Sequence, residues 1–459
     1  MNTDFSSLAL PDEQLQNLAS LGYATMTPIQ AKALPLILDG KDVVGKAKTG
    51  SGKTAAFGIG LLSRLDVSHY RTQALVLCPT RELADQVSKE LRRLARFTPN
   101  IKILTLCGGV PMGPQLDSLV HPAHIVVGTP GRIQDHLFRK SLQLDHLKML
   151  VLDEADRMLD MGFADVMTDV IRQAPRQRQT LLFSATYPEE IARISASVQR
   201  DPVEVSVEAT HDSRHIEQSF FEVERGARSS ALLQLLSHYQ PESSVVFCNT
   251  KRECQSVHDT LRARGISVLA LHGDLEQRER DQVLVRFANK SCRVLVATDV
   301  AARGLDIKDL GAVINYEMAQ DPEIHIHRIG RTGRAGQSGL ALSFCTPQEA
   351  PRALAIEEYS GHRLNWLPLS SLKGASGEAL EPEMVTLCID GGRKAKIRPG
   401  DILGALTGDA GLPGSEVGKI DLFDTHAYVA IRRASANKAL KRLQQGKLKG
   451  KSCKARLID

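Results

Sequence analysis

Residues 42–65 read DVVGKAKTGSGKTAAFGIGLLSRL. The apolar run DVVGK predicts a short buried strand and TAAFGIGLLSRL a helix. Between them lies the loop Ala47, Lys48, Thr49, Gly50, Ser51, Gly52, Lys53, Thr54, a shortened form of the phosphate-loop pattern G-x-x-x-x-G-K-[ST]. Successive backbone N–H groups that curl around a phosphate need residues tolerant of unusual φ/ψ, and the helix that follows offers its positive end to the anion. Lys53 is placed to reach β- and γ-phosphates and the Thr54 hydroxyl to ligate Mg²⁺. A nucleoside-triphosphate site is expected here.

Outward from this loop, apolar runs recur at 74–78, 101–107, 124–128, 149–153 and 180–184, separated by helical stretches. Continuous apolar runs imply strands buried on both faces, hence an α/β fold with a parallel sheet and its site at the carboxyl ends of the strands. After MLVL comes Asp153–Glu154–Ala155–Asp156. Asp153 is the candidate for holding hydrated Mg²⁺ and Glu154 for orienting the water that attacks the γ-phosphate. PTREL (79–83) and TPGR (129–132) each set a threonine before helical sequence, and two such helix starts form a track of N–H groups suited to a sugar–phosphate backbone. Periodicity fades at 201–215, which reads as an interdomain linker. A second series of parallel-strand runs follows at 244–250, 266–273, 293–299, 311–317 and 340–345. It has no phosphate loop and carries HRIGRTGR (327–334) instead. Arg331 and Arg334, three apart on a helical turn, can both approach a γ-phosphate as arginine fingers.

Residues 367–383 are rich in Ser, Gly, Pro and Glu and read as a flexible linker. From 384 to 459 the order is strand, helix, two strands with a turn at Asp424–Thr425, a helix capped by Ser435, and a last strand. This β-α-β-β-α-β order is that of a small α+β RRM-like domain. It carries 15 Lys and Arg against 7 Asp and Glu, a net +8, whereas the whole chain is +5 and residues 1–383 therefore sum to −3. Binding to a polyanion is expected to belong to this segment, with Arg393, Lys394, Lys396, Arg398, Lys447, Lys449 and Lys451 as candidates and Phe423 and Tyr428 as its few possible stacking aromatics. Eight cysteines without a C-x-x-C pair read as reduced core residues rather than a zinc site. No run approaches 18 apolar residues, so a soluble, cytoplasmic protein with no membrane partner is expected.

These motifs together resemble the DEAD-box RNA helicases of superfamily 2 over residues 5–350, which implies two tandem RecA-like domains, residues 1–208 and 209–366, followed by the linker and the RRM-like domain at 384–459. The resemblance implies ATP and Mg²⁺ as cofactors, with Gln30 reading adenine, Tyr23 stacking on it, Phe5 beside it and Asp306 on the ribose. Met26 departs from the proline that is common at its position. Pro79, Thr80, Arg81, Gly109, Thr129, Gly131 and Arg132, with Gln277, Arg280, Thr298 and Arg303 in the second half, match RNA-contacting positions. Ser184, Ala185 and Thr186, with Asp156, match the motifs that couple the nucleotide to strand separation. A clamp of two lobes closed jointly by ATP and RNA is implied, with local unwinding. The whole arrangement resembles a bacterial branch whose tail binds hairpin 92 of 23S rRNA, implying a monomeric, RNA-stimulated ATPase that remodels rRNA in large ribosomal subunit assembly. An ATP-gated RNA clamp with little turnover is the alternative, and the intact catalytic set argues against it. DNA is not an expected partner.

Overall fold

The computed structural model describes residues 3–47, 50–207, 216–302, 310–333, 339–373, 381–408, 411–448, 451–452 and 454–458. These fall into two compact units, which meet in sequence near residue 210. The first is built on β1 (Val43–Lys46), β2 (Ala74–Leu77), β3 (Ile103–Leu106), β4 (Ile125–Gly128), β5 (Met149–Asp153), β6 (Gln179–Ser184) and β7 (Val203–Ser206), in the order β3-β4-β2-β5-β6-β1-β7. Every pairing is parallel. Helices cover both faces, so neighbours along a strand belong to different cores: Val76, Val151 and Phe183 pack with Phe57, while Leu75, Leu150 and Leu182 pack with Ile133 and Met158. This double burial is why the strands read as unbroken apolar runs. The strand β7 falls inside the stretch expected to be a linker. It is an edge strand with three of its four residues exposed, so it lacks that signature. Residues 208–215 of the same stretch lie outside the described residues.

The second unit holds β8 (Ile216–Glu222), β9 (Ser244–Cys248), β10 (Val268–Leu271), β11 (Val294–Thr298), β12 (Ala312–Asn315) and β13 (Gly339–Cys345), again wholly parallel, in the order β10-β11-β9-β12-β13-β8. The edge strand β8 has no counterpart in the sequence reading. The start of the expected linker is not loose: Leu367, Leu369 and Leu372 pack onto this lobe's core, and the Leu367 N–H donates to the Phe220 carbonyl at 2.9 Å.

The same unit carries the tail domain, in which β14 (Met384–Ile389), β15 (Val417–Leu422), β16 (Ala427–Arg432) and β19 (Ala455–Ile458) form an antiparallel sheet ordered β15-β16-β14-β19. A small ribbon of β17 (Lys447–Leu448) and β18 (Lys451–Ser452) precedes the last strand. Helices Pro399–Thr407 and Ala436–Gln445 cover one face of the sheet over Leu387, Ile389, Val429 and Ile431. Ser435 precedes the second helix but does not cap it with its side chain. Its hydroxyl is bonded to the Glu416 carboxylate instead.

Candidate active site

The phosphate loop ends where the helix Lys53–Arg64 begins, with Gly50 and Gly52 at φ 83° and 96°. A side chain at Gly52 would meet the Gln30 amide at 2.6 Å and the Thr27 hydroxyl at 2.8 Å, so only glycine combines that turn with that approach. Gln30 is the third residue of the helix Pro28–Leu38. Its Oε1 accepts from the Thr27 N–H at 2.9 Å and its Nε2 donates to the Gly52 carbonyl at 3.1 Å. One amide proton and one lone pair stay uncommitted in those two bonds, the complement of an adenine edge. Tyr23 donates its hydroxyl to Glu90 at 2.6 Å, and burial, reinforced by that bond, raises its pKa. Phe5 stands edge-on behind it, ring centres 6.0 Å apart, buried with Leu10, Leu18 and Met26. Phe5 thus supports Tyr23 from the core, and Met26 joins the same core where the turn lacks its proline. Lys48 and Thr49 lie outside the described residues.

Lys53 and Asp153 are buried, and among the described residues neither the Lys53 Nζ nor the Asp153 Oδ1 has a hydrogen-bond partner; the same holds for the Ser51 hydroxyl. Burial pushes the Asp153 carboxyl up, and the Lys53 ammonium is the strongest pull in the other direction. Buried polar atoms without partners are rare and need a reason. An ammonium and a carboxylate left open beside a phosphate loop fit a Mg²⁺-bound polyphosphate. Asp156 is fully engaged. Its Oδ2 accepts from the Ala185 N–H (3.2 Å), the Thr186 N–H (3.0 Å) and the Thr186 hydroxyl (3.1 Å), and its own N–H donates to Ser184 at 3.3 Å. Burial works to raise its pKa, but the Thr186 N–H, Lys53 and Arg157 hold it below the ordinary value. The Ala47 N–H donates to the Ser184 carbonyl at 3.1 Å, so hydrogen bonds join the acidic motif to the Ser184–Thr186 turn and that turn to the start of the phosphate loop.

Thr80 caps the helix Arg81–Leu94, accepting from the Leu83 N–H at 3.3 Å, and Thr129 precedes the helix Pro130–Phe138 without a side-chain cap bond. Pro79 is buried before the first of these helices. Arg81 lies 3.8 Å from Asp85, and Arg132 grips the Val110 carbonyl (3.1 and 3.2 Å), bracing the turn that contains Gly109 at φ 73°. Gly131 has open space where a side chain would stand.

In the second unit Thr298 closes β11, and Gln277 and Arg280 stand in the first turn of the helix Gln277–Ala288. Arg331 is buried just after the helix Pro322–Ile329, with its carbonyl accepting from the Leu310 N–H at 3.4 Å. Arg303, Asp306 and Arg334 lie outside the described residues. Sequence reasoning passed over Arg328 and Arg157. The first stands in the quoted HRIGRTGR run, and the second directly follows the acidic motif.

Family profiles match in three places: DEAD/DEAH box helicase at 27–194, helicase conserved C-terminal domain at 227–336, and DbpA RNA binding domain at 386–457. The chain is 63% identical to the ATP-dependent RNA helicase DbpA of Escherichia coli K12 over 457 residues, covering 99% of this chain and 100% of that one. The chain belongs to the DEAD-box ATP-dependent RNA helicases. It is also 43% identical to the helicase CshA of Bacillus cereus over 380 residues, 83% of this chain and 71% of that one. Dbp5 of S. cerevisiae, bound to RNA and ADP BeF3, superposes with a TM-score of 0.74 at 31% identity, over 80% of this chain and 96% of that one.

In this helicase the two parallel-sheet domains are RecA-like, and the tail is a DbpA-type RNA-binding domain. Arg393, Lys394, Lys396 and Arg398 are exposed on one turn before the helix Pro399–Thr407. Tyr428 is not available for stacking. It is 1% exposed and packs with Cys388 against Val285 of the helicase lobe, with Phe423 and Ile458 around them. Thr386 on the same sheet face accepts from the Asn289 amide at 3.0 Å and donates to Ser291 at 2.9 Å. The face where an RRM-like sheet would stack bases is therefore covered by the helix Gln277–Ala288 and the residues that follow it. Lys447 and Lys451 stand in the terminal ribbon, and Lys449 lies outside the described residues. Among the described residues no helix is long and apolar enough to cross a membrane.

Proposed function

We propose that this helicase hydrolyses ATP to remodel 23S rRNA around hairpin 92 during cytoplasmic assembly of the large ribosomal subunit, acting as a monomer. The observation that carries the hydrolytic part is the pair of unpartnered buried groups, Lys53 Nζ and Asp153 Oδ1, behind the phosphate loop. Lys53 binds the β- and γ-phosphates, Gln30 and Tyr23 hold adenine, and Glu154 orients the attacking water and takes its proton. Thr54 and Asp153 would hold Mg²⁺, which when bound supplies charge neutralisation on the β- and γ-oxygens. Arg331 and Arg334 supply cationic groups to the γ-phosphate in the transition state, and Asp306 holds the ribose. RNA backbone lies on the helix starts at Thr80 and Thr129 and on Gln277, Arg280, Thr298 and Arg303.

The rRNA assignment is supported by the tail's net charge of +8 and by the exposed basic turn at 393–398. With the sheet face covered, selectivity rests on loops and cationic groups, including the basic terminal ribbon. The test is ATPase activity across an RNA panel with and without the hairpin 92 region, for the full chain and for a chain lacking 384–459. Strong preference for hairpin 92 RNA is expected from the full chain, and a weak, unselective ATPase from the truncated one. Preference that survives the truncation overturns the assignment.

A further inference from the structure

Glu154 sits at φ 53°, ψ 53°, in the left-handed region, as the residue before the helix Ala155–Asp160. Three residues on, Arg157 Nη1 donates a charge-assisted hydrogen bond to Glu154 Oε2. Both are deeply buried, at 6% and 3% exposure. The same guanidinium also acts electrostatically on Asp153 and Asp156, favouring their charged forms.

A buried ion pair is a poor way to gain stability, because desolvation of two charges offsets most of their attraction and apolar side chains of equal volume would pack as well. What apolar side chains could not do is pin a carboxylate in one orientation. We propose that Arg157 is a positioning residue for ATP hydrolysis, holding Glu154 through Oε2 so that the carboxylate meets the attacking water in a fixed geometry. This rests on the reading of Glu154 as the water-orienting base. In that step the water oxygen bonds to the γ-phosphorus while the bond to the bridging oxygen breaks. The electron pair of that bond leaves on the β-phosphate of ADP, and the water proton passes to Glu154. Displacing such a group by about 1 Å costs on the order of 10²-fold in rate.

The test uses full-length Arg157→Gln, Arg157→Lys, Glu154→Gln and the Glu154→Gln/Arg157→Gln double variant. RNA-stimulated kcat and KM, affinity for a non-hydrolysable ATP analogue, and thermal unfolding are read for each. Arg157→Gln is expected to lower kcat about 10- to 100-fold, with KM and analogue affinity within about twofold of wild type. Arg157→Lys, which keeps the charge but not the planar fork, is expected to recover part of that loss. In the Glu154→Gln background Arg157→Gln should cost nothing further. The proposal is overturned if kcat is unchanged in both Arg157 variants, or if the two losses multiply in the double variant. It is also overturned if kcat falls only in step with analogue affinity and unfolding temperature. Should Arg157→Gln fail to fold, Arg157→Lys decides by the same split of kcat against KM. Wild-type turnover by Glu154→Gln would sink the reading of Glu154 itself, whereas a slow Glu154→Gln beside fast Arg157 variants sinks Arg157 alone.

Discussion

Each of the two units buries a strong cation, and they differ in one respect. Lys53 in the first has no hydrogen-bond partner for its ammonium among the described residues. Arg328 in the second, 2% exposed, places all five of its N–H donors. Its Nε and Nη2 donate to Asp299 at 2.7 Å each, Nη2 also to Asn249 at 2.8 Å, and Nη1 to Asn315 at 3.1 Å and to the Glu317 carbonyl at 2.8 Å. The guanidinium also lies 5.1 Å from the Phe247 ring centre. A buried charge with unmet valence is a place kept for a ligand, whereas one with every valence met belongs to the architecture.

Two substitutions break this comparison if it is wrong. Lys53→Ala should lower RNA-stimulated ATP turnover by roughly 10²–10³-fold, the size of losing one preorganised donor at a developing charge, while costing the first lobe clearly less stability than Arg328→Ala costs the second, since the ammonium offsets the Asp153 charge but makes no hydrogen bond among the described residues. A loss of stability as large as that of Arg328→Ala would mean the ammonium has an internal hydrogen-bonded partner after all. Arg328→Ala should cost its own lobe about 3–5 kcal/mol because Asp299 is left as an unpaired charge. The chain's single tryptophan makes this measurable. Trp366 packs against Phe220 of the second lobe, so its fluorescence follows denaturant unfolding of that lobe.

The same contrast explains what the sequence discloses. The phosphate loop and the strand-end acids are legible because their chemistry is local: Gly50, Gly52, Lys53 and Thr54 are contiguous, and Asp153 follows its own apolar run. Central strands are legible because they are buried on both faces. The edge strands β7 and β8 are not, since VEVS and IEQSFFE each carry exposed polar residues on a strand with one neighbour. Arg328 stands in a run read for its other arginines. Its partners come from positions 249, 299, 315 and 317, and no spacing within the run announces them. The covering of the tail's sheet is hidden for the same reason, because Val285 and Asn289 look like ordinary residues of a helicase helix until Thr386 and Tyr428 are placed against them.

That covering gives a smaller test, with neutral groups in place of charges. Thr386→Val keeps the shape of the side chain but removes the hydroxyl that joins Asn289 and Ser291, both buried. Leaving those groups unsatisfied should cost about 1–3 kcal/mol. It should appear as faster limited proteolysis near the 373–381 connection, with the tail's own fold intact. Unchanged proteolysis would mean the tail is held by the apolar contacts of Val285, Cys388 and Tyr428 alone.

The last test uses a buried base that carries no charge. His325 lies one turn before Arg328, with its Nε2 at 3.3 Å from the Gln218 amide oxygen and its ring stacked on Phe220 at 5.8 Å. Burial, reinforced by the Arg328 cation, pushes its pKa down from the ordinary 6.5 to about 3. The unfolded chain therefore takes up a proton near pH 6.5 that the folded lobe refuses until about pH 3. Stability is fully present above pH 6.5 and falls as pH drops through that window, with a slope of at most about 1.4 kcal/mol per pH unit from this group. Trp366-monitored unfolding between pH 7 and pH 5 should show the decline, and His325→Gln, which cannot take up that proton, should flatten it. A slope that survives the substitution would assign the acid sensitivity to another group, and His325 would then be as well accommodated when charged as Arg328 is.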